Sequence, residues 1–193
     1  MYIPKAFRVT DRDEIFSFVE ANAFGQPVSS VEGRIFSSHM PFLVSEDKQN
    51  IVGHFAKQNP QHIELDNQEA LVNFLGPHDY ISPSWYNSPG VPTWNYQAVH
   101  VNGVCRVFND QEKLKALVDA LTEKYESTMT KPWEPNYAPS LLTAIVGVEM
   151  SIAKIECKYK LSQNRPTEDQ QSVIEQLGNR GSNNLVDAMR KIK

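Results

Sequence analysis

No apolar run in this 193-residue sequence approaches the roughly 18 residues that a bilayer-spanning helix needs. The opening residues, MYIPKAFRVTDRDE, lack the apolar core behind a basic start that marks a signal peptide. Both absences lead to the expectation of a cytoplasmic protein without a membrane span. Cysteine is scarce: Cys105 and Cys157 alone cannot make a disulfide framework, so both are expected to be reduced, buried thiols. Positive charge is also in deficit, with 19 Lys and Arg against 23 Asp and Glu and a formal net charge of -4. Such a chain has no general attraction to phosphate backbones or anionic lipid, so DNA binding would need a local patch.

The missing motifs narrow the chemistry. There is no Gly-x-Ser-x-Gly elbow and no glycine-rich phosphate loop. Zinc-ligand spacing, a helix-turn-helix pair with a basic reader helix and a basic zipper are absent too. Any difficult chemistry would therefore come from a bound cofactor.

What is present is a run of short β-like segments between terminal helices. Tyr80 to Val101 holds two of the three tryptophans and three prolines, and runs into an alternating stretch. Trp94, Tyr96, Ala98 and His100 would share one face of a strand; Asn95, Gln97, Val99 and Val101 would share the other. Asn102-Gly103 then reads as a type I′ hairpin turn, and Gly76-Pro77 as a break between two strands. Glu32-Gly33 is expected to turn the chain between Gln26–Val31 and a strand over Arg34–Val44. Asp11 with Glu14, and Asn109 with Glu112, look like helix-capping pairs. A long strand with a phase slip near Ala153 precedes a last helix that begins at Thr167 and is stopped by Gly178. Seven or eight short β segments with helices at the ends predict an α+β fold around an antiparallel barrel. The domain is expected over 1–178, with 179–193 a linker and short terminal helix.

Three stretches could carry chemistry. Gly53 to Pro60 ends a strand with His54, Lys57 and Asn59, an imidazole, an ammonium and an amide suited to an anion such as phosphate; a solvated strand end would use the same residues. Ser37, Ser38 and His39 lie on the strand before it, and antiparallel neighbours would bring His39 and His54 within reach. Lys158 to Arg165 is basic and amide-rich, suiting either a phosphate contact or a strand exit.

The stretches YIPKAF, SSHMPF, GHFAKQNP, GPHDYISPSWY, VPTWNYQAVHVNG and KLSQNR together resemble the PaiB family of transcriptional regulators. That family is similar to the FMN-binding split-barrel group related to pyridoxamine phosphate oxidases. The resemblance implies a split β-barrel with flanking helices, a homodimer, and FMN at the subunit interface. It further implies that Ser37, Ser38 and His39 on one strand, and His54, Phe55, Ala56, Lys57 and Asn59 on the next, hold the phosphate and ribityl chain. Trp94 and Tyr96 would cover the ring. The oxidase branch places arginine and lysine where this chain has His39 and His54, leaving Lys57 as the permanent charge. A regulator that binds flavin or a related small ligand is thus expected, with a flavin-dependent oxidoreductase as the alternative.

Overall fold

Asp11 accepts a hydrogen bond from the Glu14 backbone N–H at 2.9 Å, and this cap starts the first helix of the computed structural model, which describes residues 1–192. The regular elements are β1 (Arg8–Val9), α1 (Arg12–Ala21), β2 (Phe24–Val31), β3 (Arg34–Ser37), β4 (Met40–Pro41), β5 (Leu43–Val44), β6 (Asn50–Ala56), β7 (Glu69–Ile81), β8 (Thr93–Phe108), α2 (Gln111–Glu126), β9 (Ile145–Lys160), α3 (Thr167–Asn179) and α4 (Asn183–Lys191). Seven strands follow the order β3-β2-β7-β8-β9-β6-β5, with β1 on β9 and β4 on β2. The fold is an α+β antiparallel sheet with flanking helices.

The chain divides into two compact units. The first comprises Met1–Phe18, Leu75–Val99 and Glu156–Lys193. Its core holds Phe16, Ile81, Val99, Leu161, Leu177 and Leu185, each no more than 2% exposed. Within it α4 buries Leu185, Val186, Ala188 and Met189. The second comprises Val19–Phe74 and His100–Ile155. Ile51, Val72, Phe74 and Val101 are sealed in its core, and Phe42 meets Phe74 edge-on at 5.7 Å. Cys105 and Cys157 are free and buried as expected, and burial pushes both thiols up to about 12.

Several expected boundaries move. Asn102-Gly103 makes no hairpin: β8 runs straight through, and neither residue has positive φ. Gly103 is small for a different reason, because a Cβ there would strike the backbone carbonyl of Ser151. Nor does Gly76-Pro77 break β7. Pro77 lies past Leu71–Asn73, the residues paired with β2, so its missing N–H costs that ladder nothing. Gly76 makes room for Phe18, whose Cε2 would stand 2.6 Å from an added Cβ.

Glu32 (φ 50°) and Gly33 (φ 72°) do form the expected turn, but the following strand is divided because its partner changes. β3 pairs with Val28–Val31, β4 with Phe24 and Gly25, and β5 with β6. Asp110, not Asn109, caps α2 by accepting from Lys113 N–H at 2.8 Å. α3 passes through Gly178 to Asn179, and the positive φ falls at Gly181 instead. β9 is the single long strand expected, its buried set moving from Val146, Val148 and Met150 to Cys157 and Tyr159.

Candidate functional site

Along β6 the buried residues are Ile51, Gly53 and Phe55, so alternation turns His54 to the opposite face. Phe55 is 3% exposed, which leaves only its backbone for a ligand. His54 pairs across the ladder with Gly147, and directly opposed residues share a face. A Cβ at Gly147 would strike the Phe108 ring, so the missing side chain lets that ring lie against β9. In this apolar setting the Nδ1 of His54 is buried without a hydrogen-bond partner. Burial also holds its pKa below the ordinary 6.5, so the ring is neutral at pH 7, where Nδ1 or Nε2 carries the single proton.

The chain leaves β6 at Ala56 and Lys57, both exposed. Lys57 N–H donates to the Ala144 carbonyl at 2.8 Å, and its ammonium extends from the strand end. Asn59 accepts from Gln61 N–H at 2.9 Å and donates through Nδ2 to the Ser38 hydroxyl at 2.8 Å. Gln61, fully buried, donates to Ser29 Oγ at 3.0 Å and anchors this turn.

The route by which the two expected stretches meet differs from the expectation. β3 lies against β2, while β6 lies between β5 and β9, so no ladder joins Ser37 or His39 to His54. Instead the chain just after β3 reaches β6. The Ser38–Asn59 bond is one link, and Pro41, whose carbonyl would stand 2.9 Å from a Cβ on Gly53, is the other. Ser37 is exposed, and the His39 ring stacks on Phe24 at 6.1 Å. Changes of partner at Ser38 and at Phe42 cannot be read from periodicity, which reports faces but not neighbours.

Trp94 and Tyr96 belong to the first unit. Trp94 is 52% exposed and packs beside His78 at 6.4 Å and Tyr80 at 6.2 Å. The Tyr96 ring lies 5.2 Å from the Lys158 ammonium. The alternation holds as expected, and the face carrying Asn95, Gln97, Val99 and Val101 is buried, as is Ala98 on the other.

The KLSQNR stretch and α3 hold the aromatic loop, a role the sequence did not disclose. Lys160 Nζ donates to Thr93 Oγ1 and to the Trp94 carbonyl, both at 2.6 Å. Asn95 donates to Ser162 at 2.9 Å. Arg165 stacks on Tyr86 at 4.2 Å and donates to the Pro89 carbonyl at 2.9 Å, while Arg180 lies 5.7 Å from the Trp85 ring. The buried Asp169 accepts from Asn87 N–H at 2.7 Å and Ser88 N–H at 3.2 Å, and from the Ser88 hydroxyl. An acid in the first turn of a helix is the one signal of this role, and it is shared with ordinary helix caps. A cleft of about 390 Å³ also lies in this unit, lined by Gly76, Pro77, His78 and residues Gly181 to Leu185.

The donor set at the β6 exit fits a phosphate. It offers an exposed lysine, the Ser38 hydroxyl held by Asn59, and an imidazole with an orphaned nitrogen. Among the described residues no group of three His, Cys, Asp or Glu side chains could hold a metal ion.

Comparison with known proteins gives the family. Residues 1–154 match the family model described as "Putative FMN-binding domain". The chain is 44% identical over 187 residues to "Protease synthase and sporulation protein PAI 2" of Bacillus subtilis, covering 93% of this chain and 90% of that one. A protein of Emericella nidulans, "Uncharacterized protein AN0679", is 30% identical, with 77% of each chain covered. Among solved structures, the FAD and heme binding protein from Mycobacterium smegmatis superposes with a TM-score of 0.67 at 14% identity, covering 86% of this chain and 78% of that one. The flavocytochrome Anf3 from Azotobacter vinelandii gives 0.64 at 15%, covering 82% and 72%. At such identities the likeness is one of fold, the split barrel. The chain belongs to the PaiB family, built on an FMN-binding domain of the α+β split-barrel type.

Proposed function

We propose that this protein is a PaiB-type regulator that works as a homodimer and binds FMN or a closely related flavin at the β6 exit. The observation that carries the reading is His54. A neutral imidazole with a buried, unpartnered Nδ1 stands two residues before the end of a strand, and an exposed lysine follows at Lys57. A buried nitrogen left unpaired costs stability unless a ligand or bound water completes it.

In this reading Lys57 supplies the permanent charge for the phosphate, and Ser37 and His54 supply neutral partners. The Ser38–Asn59 bond fixes the turn that presents them, and the backbone at Phe55 and Ala56 lines the ribityl chain. His39 flanks the site. Trp94 and Tyr96 are assigned to the ring cover across the homodimer seam. When bound, FMN would supply one- or two-electron redox chemistry, and the residues named hold and orient it.

The regulatory role rests on the 44% identical relative, whose name refers to protease synthesis and sporulation. A net charge of -4 and the lack of a reader helix favour an indirect effect on transcription over strong autonomous DNA binding.

Titration of the purified protein with FMN, followed by flavin fluorescence, should saturate. The double substitution His54→Ala with Lys57→Ala should weaken binding by about tenfold or more while leaving the circular dichroism unchanged. Unchanged affinity would remove the site from the β6 exit, and no uptake at all would remove the flavin. Steady NAD(P)H oxidation by the loaded protein would replace the regulator with an oxidoreductase.

A further inference from the structure

The cleft of the first unit is walled by two distant segments of chain. β7 supplies Gly76, Pro77 and His78, and the junction of α3 with α4 supplies, among others, Ser182, Asn183 and Asn184. The two walls are tied together, because the Ser182 hydroxyl donates to a carboxylate oxygen of Asp79, the residue after His78. On the α4 side Leu185 is sealed at 1% exposure, and Val186, Ala188 and Met189 are buried with it, so this wall is anchored in the core. The cleft is therefore held in shape by its own frame. Its volume of about 390 Å³ falls within the roughly 300–1,000 Å³ of small-molecule sites.

The imidazole in this cleft has a defined tautomer. His78 Nδ1 lies 2.9 Å from the Gly76 carbonyl oxygen, which can only accept, so Nδ1 carries a proton and donates it. In the neutral ring the lone pair then belongs to Nε2, which has no hydrogen-bond partner among the described residues. A backbone carbonyl two residues away thus orients an acceptor on one wall. Asn183 and Asn184 bring neutral amide groups to the other, and their side chains likewise have no partner among the described residues. Water satisfies exposed groups of this kind in the free protein. A ligand that displaces it must reproduce its hydrogen bonds.

Charge narrows the choice of ligand. No lysine, arginine, aspartate or glutamate lines the cleft, and the carboxylate behind it, Asp79, is engaged by Ser182 and by the Tyr80 N–H at 2.7 Å. An anion would meet that negative charge without a counter-ion, and a cation would have to draw Asp79 from the bond that joins the walls. We propose that this cleft binds a small neutral carboxamide, at a site separate from the flavin. The amide N–H group of the ligand donates to His78 Nε2, its carbonyl accepts from the amide groups of Asn183 and Asn184, and its apolar remainder lies on Pro77.

Calorimetric titration of the FMN-free protein with benzamide tests this, and it should saturate. N,N-dimethylbenzamide lacks the N–H donors, benzoate is an anion and benzylamine a cation; each should bind at least about tenfold more weakly. His78→Phe, which keeps a ring and removes the acceptor, should weaken benzamide by about tenfold, and His78→Gln, which restores an acceptor, should recover part of the loss. Asn183→Asp, which sets a carboxylate against the ligand carbonyl, should weaken it as well. Thermal unfolding of each variant confirms that it is folded, and the two positions stand on different walls should one variant collapse. Absence of saturable binding, equal affinity for the dimethyl or charged analogues, or wild-type affinity in the folded variants would overturn the proposal. Saturating FMN should leave benzamide binding unchanged; competition would give the cleft to the flavin and overturn it too. Because the titration begins on FMN-free protein, failure of the flavin reading leaves this result readable.

Discussion

Asp169 sits at 1% exposure in the first turn of α3, where its carboxylate holds the N–H groups of Asn87 and Ser88. Hydrogen bonding by Ser88, above all, keeps its pKa below the ordinary 3.8. A depressed folded value means that the ionised form belongs to the folded state. Its stabilising effect is therefore complete above the unfolded value and is lost as pH falls from about 3.8 through the lower folded value. Asp169→Asn keeps the shape and removes the charge. Urea midpoints of wild type and variant should differ most above pH 5 and converge as the pH is taken below 3.8; a gap that stays constant with pH would show that ionisation of Asp169 is irrelevant. At this scale legibility depends on sequence distance. The Asp11–Glu14 cap spans three residues and was readable, whereas Asp169 acts 81 and 82 residues away on a loop with no marker for its partner. His54 and Lys57 were legible as types of chemistry, but that His54 stands opposite Gly147, against which the Phe108 ring lies, is set by the strand register and has no local signal.

For the elements, alternation revealed strands reliably, while punctuation by glycine held at Glu32-Gly33 and misled elsewhere. Asn102-Gly103 and Gly76-Pro77 have the residues of a turn, yet both lie inside strands because close approach by Ser151 in one case and Phe18 in the other demands glycine. That demand comes from a distant segment, so no local rule reports it. Two glycines separate the meanings experimentally. Gly103→Ala would drive a methyl into the Ser151 carbonyl, a backbone group that cannot rotate away, and should lose about 1–3 kcal/mol. Gly178, in the last turns of α3 with open space around it and no positive φ, should tolerate Ala and gain about 0.5–1 kcal/mol from helix propensity. Chemical denaturation of the pair checks both signs. If both substitutions destabilise equally, the distinction between a packing glycine and a replaceable one fails.

The whole molecule raises the question of whether its two units unfold separately. Each has its own core, but the chain passes between them inside regular elements rather than through linkers. Phe18 to Val19 lies within α1, Phe74 to Leu75 within β7, Val99 to His100 within β8, and Ile155 to Glu156 within β9. Melting one unit would mean ending one helix and three strands in mid-course and leaving their backbone groups unpaired, a cost that a flexible linker never imposes. This predicts one cooperative transition. The two cysteines make a natural pair of reporters, Cys157 in the first unit and Cys105 in the second, each buried and each pushed up to about 12. Both are poor nucleophiles until exposed, since the thiolate is the reacting form. Pulse alkylation across a urea series, with the labelled peptides quantified by mass spectrometry, should give coincident midpoints for Cys105 and Cys157. Separate midpoints would show that the boundary inside α1, β7, β8 and β9 is a real thermodynamic seam, and that continuity of these elements alone does not couple the units.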